Sequence, residues 1–351
     1  MKSPRGTIQK QARKSSATIR DVAEASGVTA GTVSRVLNNR LGEMKVPSST
    51  RQKIEQAAER LGYAPNIHAR RLFGKRAGVL GMVVPSLQNL GTLAFDNLHL
   101  TRILSGMESE LVERDYRILL IFNDARFVSE KKYLSLYRER SVDGLFVWGA
   151  GGHETFWKEI ISDHRPLLFL GNAPPVPSAA NFVLSDDEGA GFRAATYLLK
   201  KGRRRLAWLG GKKGVSVTDL QLSGIRRAMR SSGLDPDSLV VVHGDFQESS
   251  GVAAVETLFK KKVGFDALIG ANGNTCTGAS KVLAEANAVV EIVSCDSVAG
   301  GVRSLAGARV QTRDVEIGKR AVMGLVDLVE GKRSEVREWM DFDFIAADAE
   351  A

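Results

Sequence analysis

The chain of 351 residues has little cysteine: only Cys276 and Cys295. Two thiols supply neither a disulfide framework nor the paired spacing of a zinc site, so they read as buried thiols in a reducing compartment. The five histidines, His68, His99, His153, His164 and His243, are scattered without metal-ligand spacing. No apolar run approaches the ~20 residues of a membrane helix, and Met1–Lys14 lacks the apolar centre of a secretory signal. Catalytic motifs are missing as well. Gly210-Gly211-Lys212-Lys213-Gly214 does not have the spacing of a phosphate loop, and neither GxGxxG after a strand nor a GxSxG elbow occurs. The expectation is a cytoplasmic protein that is not an enzyme, with no cofactor, no metal and no membrane partner.

What is present is ordinary in amount and uneven in place. Apolar residues make up 43% and charged residues 25%, as in a soluble globular protein, and the length implies more than one domain. Residues 1–76 hold 16 Lys+Arg against 5 Asp+Glu, a net of +11, while the remainder holds 33 against 35, a net of −2. A basic head on a neutral body points to a nucleic-acid partner for the head alone.

The head is built around Thr18–Asn38, TIRDVAEASGVTAGTVSRVLN. Thr18 suits an N-cap, with Asp21 placed to favour a helix N-terminus. Val22, Ala23 and Ser26 recur at helical spacing, and Gly27 stands where a first helix must turn. Val28 plugs that turn, Thr29 caps a second helix, and Val33, Val36 and Leu37 give it a buried face. The small residue, turn glycine and packed β-branched residue have the spacing of a helix-turn-helix. The polar positions of the second helix, Thr29, Thr32, Ser34, Arg35 and Asn38, are equipment for phosphates and base edges in a major groove. A third helix follows, with Ser49 and Gln52 in a capping-box pattern and Ile54, Ala57, Ala58 and Leu61 as its apolar stripe. Gly62 ends it.

Residues 1–16 form a polar basic tail, expected to be disordered. After the head (residues 17–62), Tyr63-Ala64-Pro65-Asn66 breaks the helical pattern. Residues 67–75 (IHARRLFGK) are too short for a stable helix alone, and are either a linker or a segment that becomes helical on DNA. From Ala77 the pattern changes to β-rich apolar runs alternating with helices. Strands are expected near 78–84, 117–122, 144–148, 167–170, 181–184, 206–209, 239–243, 267–269 and 291–295. Helices are expected at 103–114, 129–140, 189–201, 220–232, 249–261 and 279–287. Repeated βα units give parallel sheets with helices on both faces, and this many strands suggest two doubly wound lobes. The boundaries expected are 63–76 for a hinge and 77–351 for a core. In the core, one lobe takes about 77–200 and 313–340, and the other about 201–312 and 341–351. Ligands in such sheets bind at the carboxyl ends of strands.

These features together resemble the lactose-repressor/galactose-repressor (LacI/GalR) family of transcription regulators. The specific parts are TIRDVAEASGVTAGTVSRVLN, RLGYAPN with the hinge, SGMESELVERDY after the first strand, and VSCDS. The resemblance implies an all-α helix-turn-helix domain on a periplasmic-binding-protein-like α/β core. It also implies a dimer on a pseudo-palindromic DNA operator, and repression controlled by a small sugar-like effector between the lobes. It places Ala30 and Gly31 at the operator-variable positions, Arg35 at a guanine-reading position, and Thr29, Thr32, Ser34 and Asn38 at base and phosphate contacts. Thr18 and Ile19 match amide contacts at the first helix. In the hinge, Tyr63, Asn66, Ala69 and Arg70 fall to DNA, and Leu72 matches a leucine that wedges into the central minor-groove step. For the effector it points to Ser86, Trp148, Gln221, Asn272, Asp296 and Arg313. Gln221 stands where many members have an arginine, and Asn272-Gly273 where an Asn-Asp pair is common. A sugar site would draw on Asp296, Asn272, Gln221 and a Trp148 platform, whereas Arg313 would favour a sugar phosphate. Trp148 equally suits packing between lobes. The rivals are a sugar-binding protein without a regulatory role, a ligand-independent repressor, and an α/β enzyme fused to a DNA-binding head.

Overall fold

The computed structural model describes residues 17–37, 45–64, 76–85, 95, 97–149, 155–171, 180–296 and 307–347. The chain divides into two compact units, Met1–Ala77 and Gly78–Ala351.

In the first unit, α1 (Ile19–Ser26), α2 (Ala30–Leu37) and α3 (Ser48–Leu61) enclose a small core. Val22, Val33 and Ile54, one from each helix, are wholly buried in it. A helix this short is marginal alone, so these contacts hold all three in place. Gly27 ends α1 in the left-handed region (φ 67°), where a side chain other than glycine is strained. Two details differ from the sequence expectation. The Ser49 capping box does not form, because α3 begins two residues earlier behind Pro47, whose carbonyl accepts from Thr50 and Arg51. Leu61 is exposed, because the chain reverses at Gly62 and Tyr63 folds back to pack on the core instead.

The second unit holds two six-stranded sheets. The first uses β1 (Val79–Pro85), β2 (Arg117–Asn123), β3 (Gly144–Trp148), β4 (Leu167–Leu170), β5 (Asn181–Ser185) and, late in the chain, β11 (Arg337–Met340), in the order β11-β5-β4-β3-β1-β2. All its neighbours are parallel. The second uses β6 (Leu206–Gly210), β7 (Val240–His243), β8 (Ala267–Gly270), β9 (Glu291–Ser294), β10 (Ala308–Thr312) and β12 (Phe342–Ile345), in the order β12-β10-β9-β8-β6-β7. Only β12 is antiparallel among these pairings. The nine strands expected from sequence are present, and β10, β11 and β12 complete the sheets.

The helices are α4 (Leu98–Glu113), α5 (Ala125–Ser129), α6 (Lys132–Arg138), α7 (Phe156–Ser162), α8 (Asp187–Lys200), α9 (Ser216–Ser231), α10 (Glu248–Lys260), α11 (Gly273–Glu285) and α12 (Asp314–Glu330). The single helix expected over 129–140 is thus two short ones. In the first lobe α4 and α12 cover the sheet through Ile103, Met107, Val322 and Leu325. They approach so closely that a Cβ on Gly106 would lie 1.9 Å from the Val315 carbonyl oxygen. In the second lobe α8 and α9 pack Ala194, Leu198, Ile225 and Met229 around Trp208.

That packing moves one boundary. The sequence expectation kept residues up to 200 in the first lobe, but α8 buries its apolar face in the second, so the chain crosses at Ser185–Asp187. The other crossings run from Thr312 into α12 and from Met340 to Phe342. All three lie at carboxyl ends: of β5, of β10, and of β11, with Phe342 pairing beside Thr312. The carboxyl ends of both sheets therefore meet at the lobe junction, where ligands of such sheets bind.

Candidate functional site

The first candidate surface is the outer face of α1 and α2. Thr18 caps α1 reciprocally with Asp21: the Asp21 amide donates to the Thr18 hydroxyl (3.4 Å) and the Thr18 amide to the Asp21 carboxylate (2.7 Å). These bonds hold the Asp21 carboxyl below the usual carboxylate range. Ile19 tucks half-buried against the core at the helix start. At α2 the Thr32 amide donates to the Thr29 hydroxyl (3.2 Å), and the two hydroxyls bond to each other at 3.0 Å. Burying Val33 and Val36 leaves Thr29, Gly31 and Arg35 exposed, with Ala30, Thr32 and Ser34 half-buried beside them. A Cβ on Gly31 would meet only the Thr29 hydroxyl, at 3.7 Å, so this face admits close backbone approach. Tyr63 lies against the head core, and burial pushes its phenol up. Asn38, Asn66, Ala69, Arg70 and Leu72 lie outside the described residues.

The second candidate is the junction of the lobes; Ser86 lies outside the described residues. Trp148 ends β3 nearly buried, with its Nε1–H without a partner among the described residues. Its indole covers the Gly171 turn, where a Cβ would come 3.1 Å from Nε1. Gln221, on α9, is 1% exposed; its Nε2 donates to the Ala271 carbonyl (3.2 Å), and its Oε1 has no partner among the described residues. It is held there by a tight helix crossing, since a Cβ on Gly191 of α8 would lie 2.2 Å from the Gln221 carbonyl oxygen. Asn272 is committed: its Oδ1 caps α11 through Thr275, and its Nδ2 donates to the Phe246 carbonyl at 3.0 Å. Asp296 follows β9 and accepts from the Thr312 hydroxyl at 3.0 Å.

Arg313 stands apart from these. Its guanidinium pairs with the exposed Asp343 carboxylate at 2.7 Å. It lines an open concavity of about 770 Å³ with Arg102, Val315, Arg320 and Asp343, whose walls include none of Trp148, Gln221, Asn272 or Asp296.

The sequence missed two features of the junction. One is Phe246, which follows β7 with φ 69°, rare for a non-glycine residue, and whose ring lies where a Gly211 Cβ would be. An aromatic ring beside a glycine pair is a platform, and the signal was Gly244-Asp245-Phe246 after an apolar strand. The other is a charge cluster in which Asp187 and Asp314 are buried and His99 and Asp296 half-buried. His99 Nδ1, in the first turn of α4, bonds the Asp314 carboxylate at 2.9 Å, and Asp314 is 2% exposed. Burial lowers the imidazole, but the Asp314 bond and the Asp314, Asp296 and Asp187 charges outweigh it and push it up to about 9. Asp187, the buried first residue of α8, is pushed well above the usual carboxylate range by burial and then by Asp296. No sequence spacing links residues 99, 187, 296 and 314; only the crossings bring them together.

Two family profiles match the chain. Bacterial regulatory proteins of the lacI family match residues 18–66, and the periplasmic binding proteins and sugar binding domain of the LacI family match residues 77–325. The HTH-type transcriptional regulator MalR of Streptococcus pneumoniae is 28% identical over 324 residues, covering 90% of this chain and 94% of its own. The HTH-type transcriptional regulator DegA of Bacillus subtilis is 30% identical over 239 residues, 67% of each chain. Among solved structures, the Lac repressor dimer bound to operator and the anti-inducer ONPF superposes with a TM-score of 0.79 at 20% identity, covering 94% of this chain and 97% of that one. The CelR–cellobiose complex gives 0.69 at 24%, covering 94% and 98%.

Proposed function

The chain belongs to the LacI family of bacterial regulatory proteins and is a DNA-binding transcription regulator; from that premise we propose that it represses as a homodimer, released or recruited by a neutral sugar held between the core lobes. It carries out no catalysis in this reading and works in the cytoplasm. Among the described residues no helix is long and apolar enough to cross a membrane.

The observation that carries the ligand class is the make-up of the junction. Its described side chains offer carboxyl groups at Asp187 and Asp296, an open acceptor at Gln221 Oε1, a free donor at Trp148 Nε1 and a ring at Phe246. Hydroxyl groups satisfy both the acceptors and the donor, and each buried polar atom left unpaired costs about 1–3 kcal/mol. The one cation among them, His99, is held by Asp314, and Arg313 by Asp343. Among the described residues of the junction no cation is left free for an anionic ligand, which favours the sugar over the sugar phosphate in this reading. The solved relative that holds cellobiose supports the same class.

Support for a dimer comes from β2, the edge of the first sheet. Leu119, Leu120 and Phe122 on this strand are 40%, 36% and 50% exposed, Phe95 sits edge-on to Phe122 at 6.4 Å, and Val112 stands out from α4. A seven-residue apolar edge strand invites pairing, and a second copy of the chain covers it. Two heads then read two half-sites through Thr29, Ala30, Gly31, Thr32, Ser34, Arg35 and Asn38, with Thr18 and Ile19 on phosphates. Tyr63, Asn66, Ala69, Arg70 and Leu72 serve the hinge and the central step.

Selection of bound sites from random duplexes tests this reading. A pseudo-palindrome with half-sites about one helical turn apart is expected. A single asymmetric half-site, or a full-length chain that stays monomeric at the selected site, contradicts it.

A further inference from the structure

The near-neutral total of the core conceals one strongly charged end. Lys200, Lys201, Arg203, Arg204 and Arg205 close α8 and lead into β6, and Lys260, Lys261 and Lys262 close α10 and lead towards β8. Strands β6 and β8 are parallel neighbours that start level, with Leu206 opposite Ala267, so the two loops lie side by side at the amino end of the second sheet. Asp266 fastens them together. Its carboxylate accepts from the Arg204 amide at 3.2 Å and the Arg205 amide at 3.1 Å, and its own amide donates to the Arg205 carbonyl at 2.9 Å. Seven of these eight cations are exposed, and Arg203 is half-buried. Setting aside residues 200–205 and 260–266, with their eight cations and Asp266, leaves the core 25 of its 33 Lys+Arg and 34 of its 35 Asp+Glu, a net of −9.

Little at this end neutralises the cations. Glu291, which opens β9 beside Ala267, takes Lys201 at 2.7 Å and Arg203 at 3.3 Å, and Asp266 stands 3.7 Å from Arg205. The Arg204 guanidinium donates to the Leu199 carbonyl at 3.1 Å. Lys200, Lys260, Lys261 and Lys262 have no ion pair among the described residues. Adding Arg230 at the end of α9 and Asp235, Asp237 and Glu285 around it, the whole end holds nine cations against five carboxyl groups. The C-termini of α8 and α10 carry roughly −0.5 charge each, so helix dipoles account for about one of the cations. Cations gathered this densely repel one another, and a polyanion relieves that repulsion while releasing its own counterions.

We propose that this end of the second lobe is a phosphate-binding surface for a second segment of duplex DNA, separate from the one read by the head. The strands of the second sheet run from it to the lobe junction. The chain enters the core at Gly78, before the amino end of β1 in the other lobe. The basic end and that point of entry thus each lie at the far end of their own lobe from the junction. A surface of lysines and arginines without a helix face for the major groove contacts phosphates, not base edges, so its binding is independent of sequence and steeply weakened by salt. Duplex DNA is favoured over an acidic protein because the head already keeps the chain on DNA, where duplex phosphate is the nearest polyanion.

Capture of a second duplex by the full-length protein tests this. The protein is loaded on an immobilised short duplex that carries its selected site, washed, and offered a labelled random-sequence duplex. Wild-type protein is expected to retain the label at about 50 mM salt and to lose it steeply towards about 200 mM. A variant combining Lys200→Gln, Lys260→Gln, Lys261→Gln and Lys262→Gln changes only exposed side chains. It is expected to retain at least about tenfold less label, with a salt slope lower by about one for each lysine that meets a phosphate. Its affinity for the short selected-site duplex is expected to be unchanged. No retention by the wild type at low salt overturns the proposal. Equal retention by the variant overturns it too, since the basic head then makes the capture. A matching loss of affinity for the short duplex also overturns it, because the lysines then touch the DNA that the head reads. Should the combined variant fail to fold, Lys261→Gln with Lys262→Gln decides on the same readouts. No sugar enters the assay, so its outcome is independent of the sugar reading.

Discussion

The helix-turn-helix head and the lobe junction reach function by opposite routes. The head gathers its candidate contacts from one stretch, Thr18–Leu37, and presents them on a face left open by burying Val22, Val33 and Ile54 elsewhere. The junction draws His99, Trp148, Asp187, Gln221, Phe246, Asp296 and Asp314 from seven separate segments and keeps several of them buried. Contacts that project from one helix tolerate substitution without disturbing the fold. Contacts buried at crossings are also packing and electrostatics, so changing them changes the lobes.

The largest test of this difference is Ile54→Ala. A fully buried residue in so small a core is expected to cost about 2–5 kcal/mol and to abolish DNA binding. Calorimetry should show the core transition unmoved; a shifted core transition would mean the two units do not unfold independently. The counterpart is Gly224→Ala. Its Cβ would fall 2.0 Å from the Glu188 carbonyl oxygen, so α8 and α9 must part, at a cost of about 1–3 kcal/mol to the core while non-specific DNA binding persists.

Smaller effects are expected at the exposed face. Arg35→Ala should lose about 1–3 kcal/mol of discrimination between the selected site and random DNA with an unchanged melting profile. Equal losses on both DNAs would make Arg35 a phosphate contact only. Smallest is Thr18→Ala, which removes one half of a reciprocal cap and should lower head stability by about 1 kcal/mol. No measurable change in the head transition would show that Asp21 holds the N-terminus alone.

The same contrast explains what the sequence made legible. Local signals were readable because cause and effect lie a few residues apart: Thr18 with Asp21, the glycine at 27, and the apolar runs that became β1 to β9. Strand β11 was harder, since it is four residues long and alternates exposed with half-buried positions. The lobe boundary was misplaced because the apolar face of α8 fits either sheet until its neighbours are known. Trp148 and Gln221 each carry a buried polar atom without a partner among the described residues, and their contact with ligand stays a proposal. Phe246 and His99 escaped notice because each owes its role to what a distant segment places beside it: Gly211 for one, Asp314 for the other.

The most direct test of the central claim is the affinity of the full-length protein for its selected site, measured against a panel of neutral mono- and disaccharides and their phosphate esters. If the junction is a neutral-sugar site linked to the head, at least one neutral sugar should change that affinity by about 5- to 150-fold, the size of a 1–3 kcal/mol coupling, and its phosphate ester should not. A change produced only by phosphate esters, or by none of the panel, would contradict it.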